Sequence, residues 1–296
     1  MIVSKIMNHK SVLTSELIRF LKPKTNQNFI DATVGMGGHA LAILSKTAPQ
    51  GRILGIDWDG LALRRLAHSQ PELIKEKRLI LYQDNFKNLK EIAEKTGFSK
   101  VSGIYFDLGL GSWQIEDAVY GLSYQKDVPL DMRMSGQCFF KVSAREIINQ
   151  YSEKELTEIF RDYGEVRKPH QIARKIVQGR EKKMIGSTLQ LVKITGVKNP
   201  AVLAKIFQAL RIAVNDELEN LNKVLPDAVS ILEKGGKLAV ISYHSGEDRI
   251  VKNFLREQQK EGILKILTKK PVVPSEGEVK ENPRARSAKM RMAEKI

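Results

Sequence analysis

Apolar positions along the first third of the chain change period repeatedly. Leu13, Leu17, Ile18 and Leu21 recur at helical spacing and predict an opening helix. A β-rich run over 29–33 follows, then a glycine loop at 35–38 and a helix through Leu41 and Leu44. Further strands are expected at 53–57, 79–82 and 103–107, with helices between them near 61–67 and 86–95. Strand and helix in alternation predict βαβ units and a parallel sheet covered on both faces.

The alternation stops after Asp107. From about 113 to 200 the pattern reads as loop and helix. Ser152 and Glu155 have capping-box spacing, and Leu156, Ile159, Phe160 and Tyr163 follow at helical spacing. Ile172, Ile176 and Val177 mark another helix. One long helix after Pro200 is expected to carry Val202, Ile206, Phe207, Leu210, Val214 and Leu221. The mixed character then returns: Gly235-Gly236 closes a helix ahead of a buried strand at 238–241. A helix over 246–257 and β-like segments at 264–267 and 289–292 complete the chain. The expectation is one doubly wound α/β sheet, residues 1–114 and 206–296, interrupted by a helical domain over 115–205. Two sequential domains are the alternative, but they would leave the second sheet very small.

Composition adds a partner. Lys and Arg number 49 against 34 Asp and Glu, a net charge of +15, which favours a polyanion such as nucleic acid. The lone Cys138 excludes an intramolecular disulfide framework and multi-cysteine zinc motifs, and no metal-ligand cluster is evident. Residues 1–10, with Lys5, Asn8, His9 and Lys10, do not read as a secretory signal, and no apolar run reaches membrane-spanning length. A cytoplasmic protein with no membrane partner is the expectation.

Candidate chemistry lies at the strand ends. The run Asp31-Ala-Thr-Val-Gly35-Met-Gly37-Gly38-His39 falls at a strand-to-helix junction, where glycines let the backbone approach a ligand. Asp57, 22 positions after Gly35, is placed to accept ribose hydroxyls, with Asp59 a nearby alternative. Asp84-Asn85-Phe86 offers polar groups and an aromatic face near an adenine, and Asp107-Leu-Gly109 ends the fourth strand. Acidic residues at four successive strand ends suit a cofactor bearing a sulfonium and an ammonium, S-adenosyl-L-methionine, better than a dinucleotide. The glycine loop and Asp57 also fit NAD, so an NAD-dependent oxidoreductase is the enzymatic alternative. A ribosome-assembly factor using the fold as an RNA scaffold is the non-enzymatic one.

The same residues carry a resemblance. The chain resembles the bacterial 16S rRNA cytosine-N4 methyltransferase family along nearly its whole length. The segments are His9-Lys-Ser-Val-Leu13, Asp31 to His39, Gly55-Ile-Asp57, Asp84-Asn-Phe86, Asp107-Leu-Gly109 and Pro129-Leu-Asp-Met-Arg-Met134. Phe207-Gln-Ala-Leu-Arg-Ile-Ala-Val-Asn-Asp-Glu217, Ile241-Ser-Tyr-His-Ser245, Glu247-Asp-Arg249 and Asn282-Pro-Arg-Ala-Arg-Ser-Ala-Lys289 extend it. The glycine loop is generic, whereas the later blocks are long and unusual. The resemblance implies a class I, Rossmann-like methyltransferase fold with an inserted domain. It implies S-adenosyl-L-methionine as cofactor and a decoding-centre cytidine of 16S rRNA, in the small ribosomal subunit, methylated on its exocyclic nitrogen. Cofactor contacts so implied are Gly37, Gly38, His39, Asp57, Phe86, Asp107 and Gln114.

The residues constrain the reaction. Attack through carbon 5 of cytosine needs a cysteine nucleophile, commonly after proline; Cys138 lies between Gln137 and Phe139. Transfer to the exocyclic amine instead needs acceptors for the amino hydrogens, and Asp107 with the carbonyls of 108–112 is placed to supply them. His244, and Asp131 with Arg133, are further pocket candidates; for the latter pair a local salt bridge is the plainer expectation. Trp113 and Tyr124 could stack on an extruded base. Arg284, Arg286, Lys289 and Arg291, with Lys269-Lys270, read as a phosphate-contacting surface, and Met290 and Met292 as the buried face of the same strand.

Overall fold

A computed structural model describes residues 11–111, 114, 120–134 and 142–296. The N-terminal Lys5, Asn8, His9 and Lys10, as well as Ser112, Trp113, Gln137, Cys138 and Phe139, lie outside the described residues. The chain forms two compact units, one of residues 1–109 with 218–296 and the other of residues 110–217.

The first unit is built on a seven-stranded sheet. Its strands are β1 (Phe29–Asp31), β2 (Ile53–Asp57), β3 (Leu79–Gln83), β4 (Val101–Asp107), β5 (Leu232–Ser242), β6 (Leu264–Ile266) and β7 (Lys289–Lys295), in the order β3-β2-β1-β4-β5-β7-β6. Strands β1 to β5 pair in parallel, and β7 runs antiparallel between β5 and β6. Alternate residues serve opposite faces, and both faces are buried. Ile30, Leu54, Ile104, Phe106, Leu238 and Val240 pack with Leu89, Leu225 and Val251 in one core. Phe29, Ile53, Tyr105, Ala239 and Ile241 pack with Leu17, Ile43 and Leu66 in the other. Two covered faces are why the strand runs read as continuously apolar.

The helices of this unit are α1 (Thr14–Leu21), α2 (Gly38–Leu44), α3 (Gly60–Ser69), α4 (Pro71–Lys75) and α5 (Leu89–Thr96) in its first segment. The insert then contributes α6 (Ala144–Gln150), α7 (Glu153–Asp162), α8 (Pro169–Lys182), α9 (Thr188–Thr195) and α10 (Pro200–Asn215). The sheet unit resumes with α11 (Glu217–Ile231), α12 (Ser245–Lys260) and α13 (Glu276–Glu281). In the insert, Ser143 with Glu146 and Ser152 with Glu155 form complete capping boxes at α6 and α7.

Three expectations need correction. The insert reaches to Glu217 instead of ending at 205, because α10 is unbroken to Asn215 and buries Ile206, Phe207, Leu210 and Val214 against Leu130, Ile147 and Phe160. The single long helix after Pro200 is two: Asp216, at φ 50°, turns the chain between α10 and α11. Gly235-Gly236 does not close a helix. It lies within β5, where the register against β4 jumps from Leu232 opposite Val101 to Lys237 opposite Gly103, and Gly235 takes φ 81°.

Candidate functional site

The carboxyl ends of β1, β2, β3 and β4 place the predicted residues at one end of the sheet. After Asp31 the chain turns through Gly35 (φ 49°) and Gly37 (φ 83°) into α2. A Cβ on Gly37 would stand 2.6 Å from Leu66 Cδ1, and one on Gly38 2.0 Å from Ser11 Oγ. Gly37 therefore needs both its left-handed conformation and its missing side chain. This glycine turn at the carboxyl end of β1 is the candidate cradle for a bound group.

Asp57 fastens this turn. Its Oδ2 accepts the Gly35 N–H at 2.8 Å and its Oδ1 the Asp59 N–H at 2.9 Å. Each oxygen keeps a second lone pair for a hydroxyl donor. Burial pushes the Asp57 carboxyl up to about 6, with the Asp59 and Gly35 hydrogen bonds acting the other way. The alternative, Asp59, caps α3 by accepting from Leu61 and Ala62. Phe86 follows β3, its ring edge-on to Phe106 at 5.8 Å and tilted against Trp58 at 6.4 Å. Asp107 ends β4, its backbone N–H donating to Thr33 Oγ1 at 2.7 Å.

The four strand-end carboxylates are not equivalent. Asp31 is 2% exposed, and burial pushes it up to about 8, so it is protonated at neutral pH. Asp84 Oδ1 accepts from Asn85 N–H and Asn88 Nδ2 inside its own turn. Burial sets Asp31 apart from the others, and Asp84 is engaged within its own turn, which leaves Asp57 and Asp107 as the carboxyls most open to a ligand. His39, 5% exposed, places Nε2 2.9 Å from the Val12 carbonyl and Nδ1 3.8 Å from Asp107 Oδ2.

Other expected site residues take different parts. His244 is the N-cap of α12: its Nδ1 accepts from Glu247 N–H at 3.4 Å and its Nε2 faces Glu247 Oε1 at 3.1 Å. Its Nδ1 is engaged by its own helix, whereas its buried Nε2 makes no hydrogen bond of ordinary geometry among the described residues. Asp131 and Arg133 pair bidentately at 2.7 and 2.6 Å, the plainer of the two expectations. Burial opposes the Asp131 charge, but the Arg133 hydrogen bonds outweigh it and hold the carboxyl below its ordinary range. Gln114, in the second unit, exchanges hydrogen bonds with Gly111: its Oε1 accepts and its N–H donates, both at 3.0 Å. Tyr124 packs edge-on to Phe207 at 5.7 Å, a core position.

Arg291 is a correction. β7 is an interior strand, and Arg291, 9% exposed, pairs bidentately with Asp248 of α12 at 2.6 and 3.1 Å. The face of β7 that carries Arg291 is covered by α12, which supplies Asp248, so alternation with Met290 and Met292 misled. Lys289 is half-buried, whereas Arg284, Arg286, Lys269 and Lys270 are exposed. Sequence reasoning missed Trp58, Thr33 and Tyr243; Tyr243 lies so close to Gly109 that a Cβ there would meet its ring at 2.6 Å. Adjacency to the strand-end residues Asp57, Asp31 and His244 was the available signal.

Sheet order, antiparallel β7 and a glycine cradle after β1 define a class I methyltransferase fold. The comparisons narrow the class. The chain belongs to the MraW methylase family, which matches residues 6–296. It is 40% identical over 312 residues to the ribosomal RNA small subunit methyltransferase H of Clostridioides difficile, covering 98% of this chain and 99% of that one. Proteins of the same name from Carboxydothermus hydrogenoformans (41%, covering 98% of both chains) and Heliobacterium mobile (42%, covering 98% of this chain and 99% of that one) are also similar.

Proposed function

We infer that this protein transfers a methyl group from S-adenosyl-L-methionine to the exocyclic N4 of a cytidine in 16S rRNA of the small ribosomal subunit. The family match along residues 6–296, with similarity spanning nearly the full length of small-subunit rRNA methyltransferases, carries the reading. The residues fit the donor: a glycine turn at Gly35 and Gly37 that leaves bare backbone at the end of β1, the Asp57 acceptors, the Phe86 ring and the Asp107 carboxylate. When bound, this cofactor supplies an electrophilic methyl on a sulfonium.

The chain's own residues then bind and orient. Gly37, Gly38 and His39 line the turn, Asp57 accepts the ribose hydroxyls, and Phe86 with Trp58 offers the adenine an aromatic surface. Asp107 accepts an amino hydrogen of the target, which concentrates the lone pair on nitrogen and aligns it with the methyl group. We assign RNA recognition to the helical insert, with Asp131 and Arg133 acting there as a rigid pair, and phosphate contacts to Arg284, Arg286 and Lys289. No helix among the described residues is long and apolar enough to cross a membrane.

Calorimetry with S-adenosyl-L-methionine and with NAD tests the cofactor: the first is expected to bind, and binding of NAD alone rejects the reading. For Asp107, the Asn variant is expected to bind cofactor but to lose turnover by about 100-fold or more, the scale of general acid–base assistance. Normal binding with full turnover removes Asp107 from the chemistry.

A further inference from the structure

One arrangement in the sheet unit is more than cofactor binding requires. A carbonyl can only accept, so the 2.9 Å contact to Val12 puts the neutral His39 proton on Nε2. Nδ1 then presents a lone pair to the Asp107 carboxylate, 3.8 Å away. Two acceptors face each other, with room for one proton between them. Asp107 is held through its backbone, whose N–H donates to Thr33 Oγ1. Its Oδ1 is buried with no hydrogen bond of ordinary geometry among the described residues, while the side chain keeps 19% exposure.

Phenols and carboxyls surround this pair. Tyr105 of β4 stands edge-on to His39 at 6.1 Å, and Tyr243, following β5, lies beside Asp107. Burial first, then the neighbouring Asp31 and Asp107 carboxyls, push these two phenols well above their usual range. Asp31 of β1 is itself protonated at neutral pH. Glu247 of α12 and Glu278 of α13 act on Tyr243, and the segment before α1 offers His39 the Val12 carbonyl.

We propose that His39 is the terminal proton acceptor of the methyl transfer, taking through Asp107 the proton that the attacking amine sheds. The proposal rests on the cofactor-site and cytidine-amine reading above. The amine lone pair forms the N–C bond, and the S–C bond of the donor breaks with its electron pair left on sulfur. The surplus amine proton moves to Asp107 and on to His39 Nδ1. The positive charge that began on sulfur ends on an imidazolium beside a carboxylate, so charge balances, and the proton leaves to solvent as products depart. His39 acts through Asp107 and is in that sense a positioning residue for the proton. The pair works only while it holds no extra proton, so the rate follows an acid limb, rising with pH and then levelling.

His39→Gln retains an amide N–H for the Val12 carbonyl and removes the acceptor at Nδ1. In single turnover its rate is expected to fall about 100-fold. Because His39 also lines the cofactor turn, the rate is read at saturating cofactor with affinity measured separately by calorimetry, and the acid limb should be lost or displaced. A rate within about threefold of wild type, on the wild-type limb, overturns the proposal. So does a rate loss fully accounted for by lost cofactor binding. A measurement on the unaltered protein guards against a variant that misfolds: ¹⁵N-histidine spectra should give an Nε2–H ring at high pH that takes up its second proton along the acid limb. An Nδ1–H ring, or one that stays neutral while the rate falls, also overturns it. Failure of the wild-type protein to bind S-adenosyl-L-methionine defeats the cofactor reading itself, and this proposal with it.

Discussion

Both units bury ion pairs, Arg291 with Asp248 in the sheet unit among them, but the sheet unit also gathers carboxyls at its strand ends. In the insert, ionic groups in the interior are paired: Asp131 with Arg133, and Arg211 with Glu217, the latter bidentate at 2.8 Å. In the sheet unit, the carboxyls of Asp31, Asp57 and Asp107 converge on strand ends with backbone donors and phenols as neighbours. Paired charges fix a shape. Burial first raises the Asp31 and Asp57 carboxyls, and acids gathered in this way hold capacity for a ligand or a proton. The clustered acids belong to the sheet unit, and the insert holds its charges in pairs.

The largest effect is expected from Gly37→Val, which forces a β-branched residue into φ 83° and against Leu66. Cofactor affinity should drop by about 100-fold or more, from strain of a few kcal/mol, and affinity near wild type would remove the cradle from the account. Asn215→Ala is the counterpart in the insert. Asn215 is fully buried, accepts the Met134 N–H, and donates to the Met132 and Arg211 carbonyls. Its loss should destabilise the insert by about 2–3 kcal/mol. Hydrogen exchange should locate that loss in residues 120–134 and in α10, with cofactor affinity unchanged; faster exchange in β1 to β4 would contradict the division.

Asp31→Asn probes the buried acids through pH. A carboxyl raised from 3.8 to about 8 on folding binds more protons in the native state than in the unfolded state across that window. Wild-type stability therefore falls as pH rises through it, by up to about 1.4 kcal/mol per pH unit. The Asn variant keeps an acceptor for Thr33 and lacks that slope, so it should gain on wild type between pH 5 and 8, a window taken from the same shift. Parallel stability curves would show that Asp31 is charged when folded.

The smallest effect concerns the surface. Replacing Arg284 and Arg286 by Ala should lessen the steepness of the log affinity against log salt plot by about 1.4 for single-stranded RNA, roughly 0.7 per phosphate contact. Arg291→Ala should leave the slope alone and lower the melting temperature, because it unpairs Asp248. The reverse outcome would restore the sequence-based view of β7.

Much of the sheet unit was legible because its signals are local. Apolar runs of strand length, a glycine turn and Asp57 at the expected spacing each report on a few neighbouring residues. What escaped depends on distant partners. Whether Arg291 faces solvent is decided by β6 and α12, and where the insert ends is decided by what α10 packs against. Asp31 and Asp107 look alike in sequence; burial beside Tyr105 protonates one, while the other keeps partial exposure beside His39. The late blocks were visible as unusual strings, yet Asn215 as a latch for the 129–134 loop, or Glu247 as acceptor for the Tyr243 N–H, required coordinates.

The most direct test is to incubate small ribosomal subunits from cells lacking this gene with the purified protein and tritiated S-adenosyl-L-methionine, and to identify the labelled nucleoside by mass. The account predicts label at a single site in 16S rRNA, as N4-methylcytidine. Label on carbon 5, on another base, or on no RNA at all would contradict it.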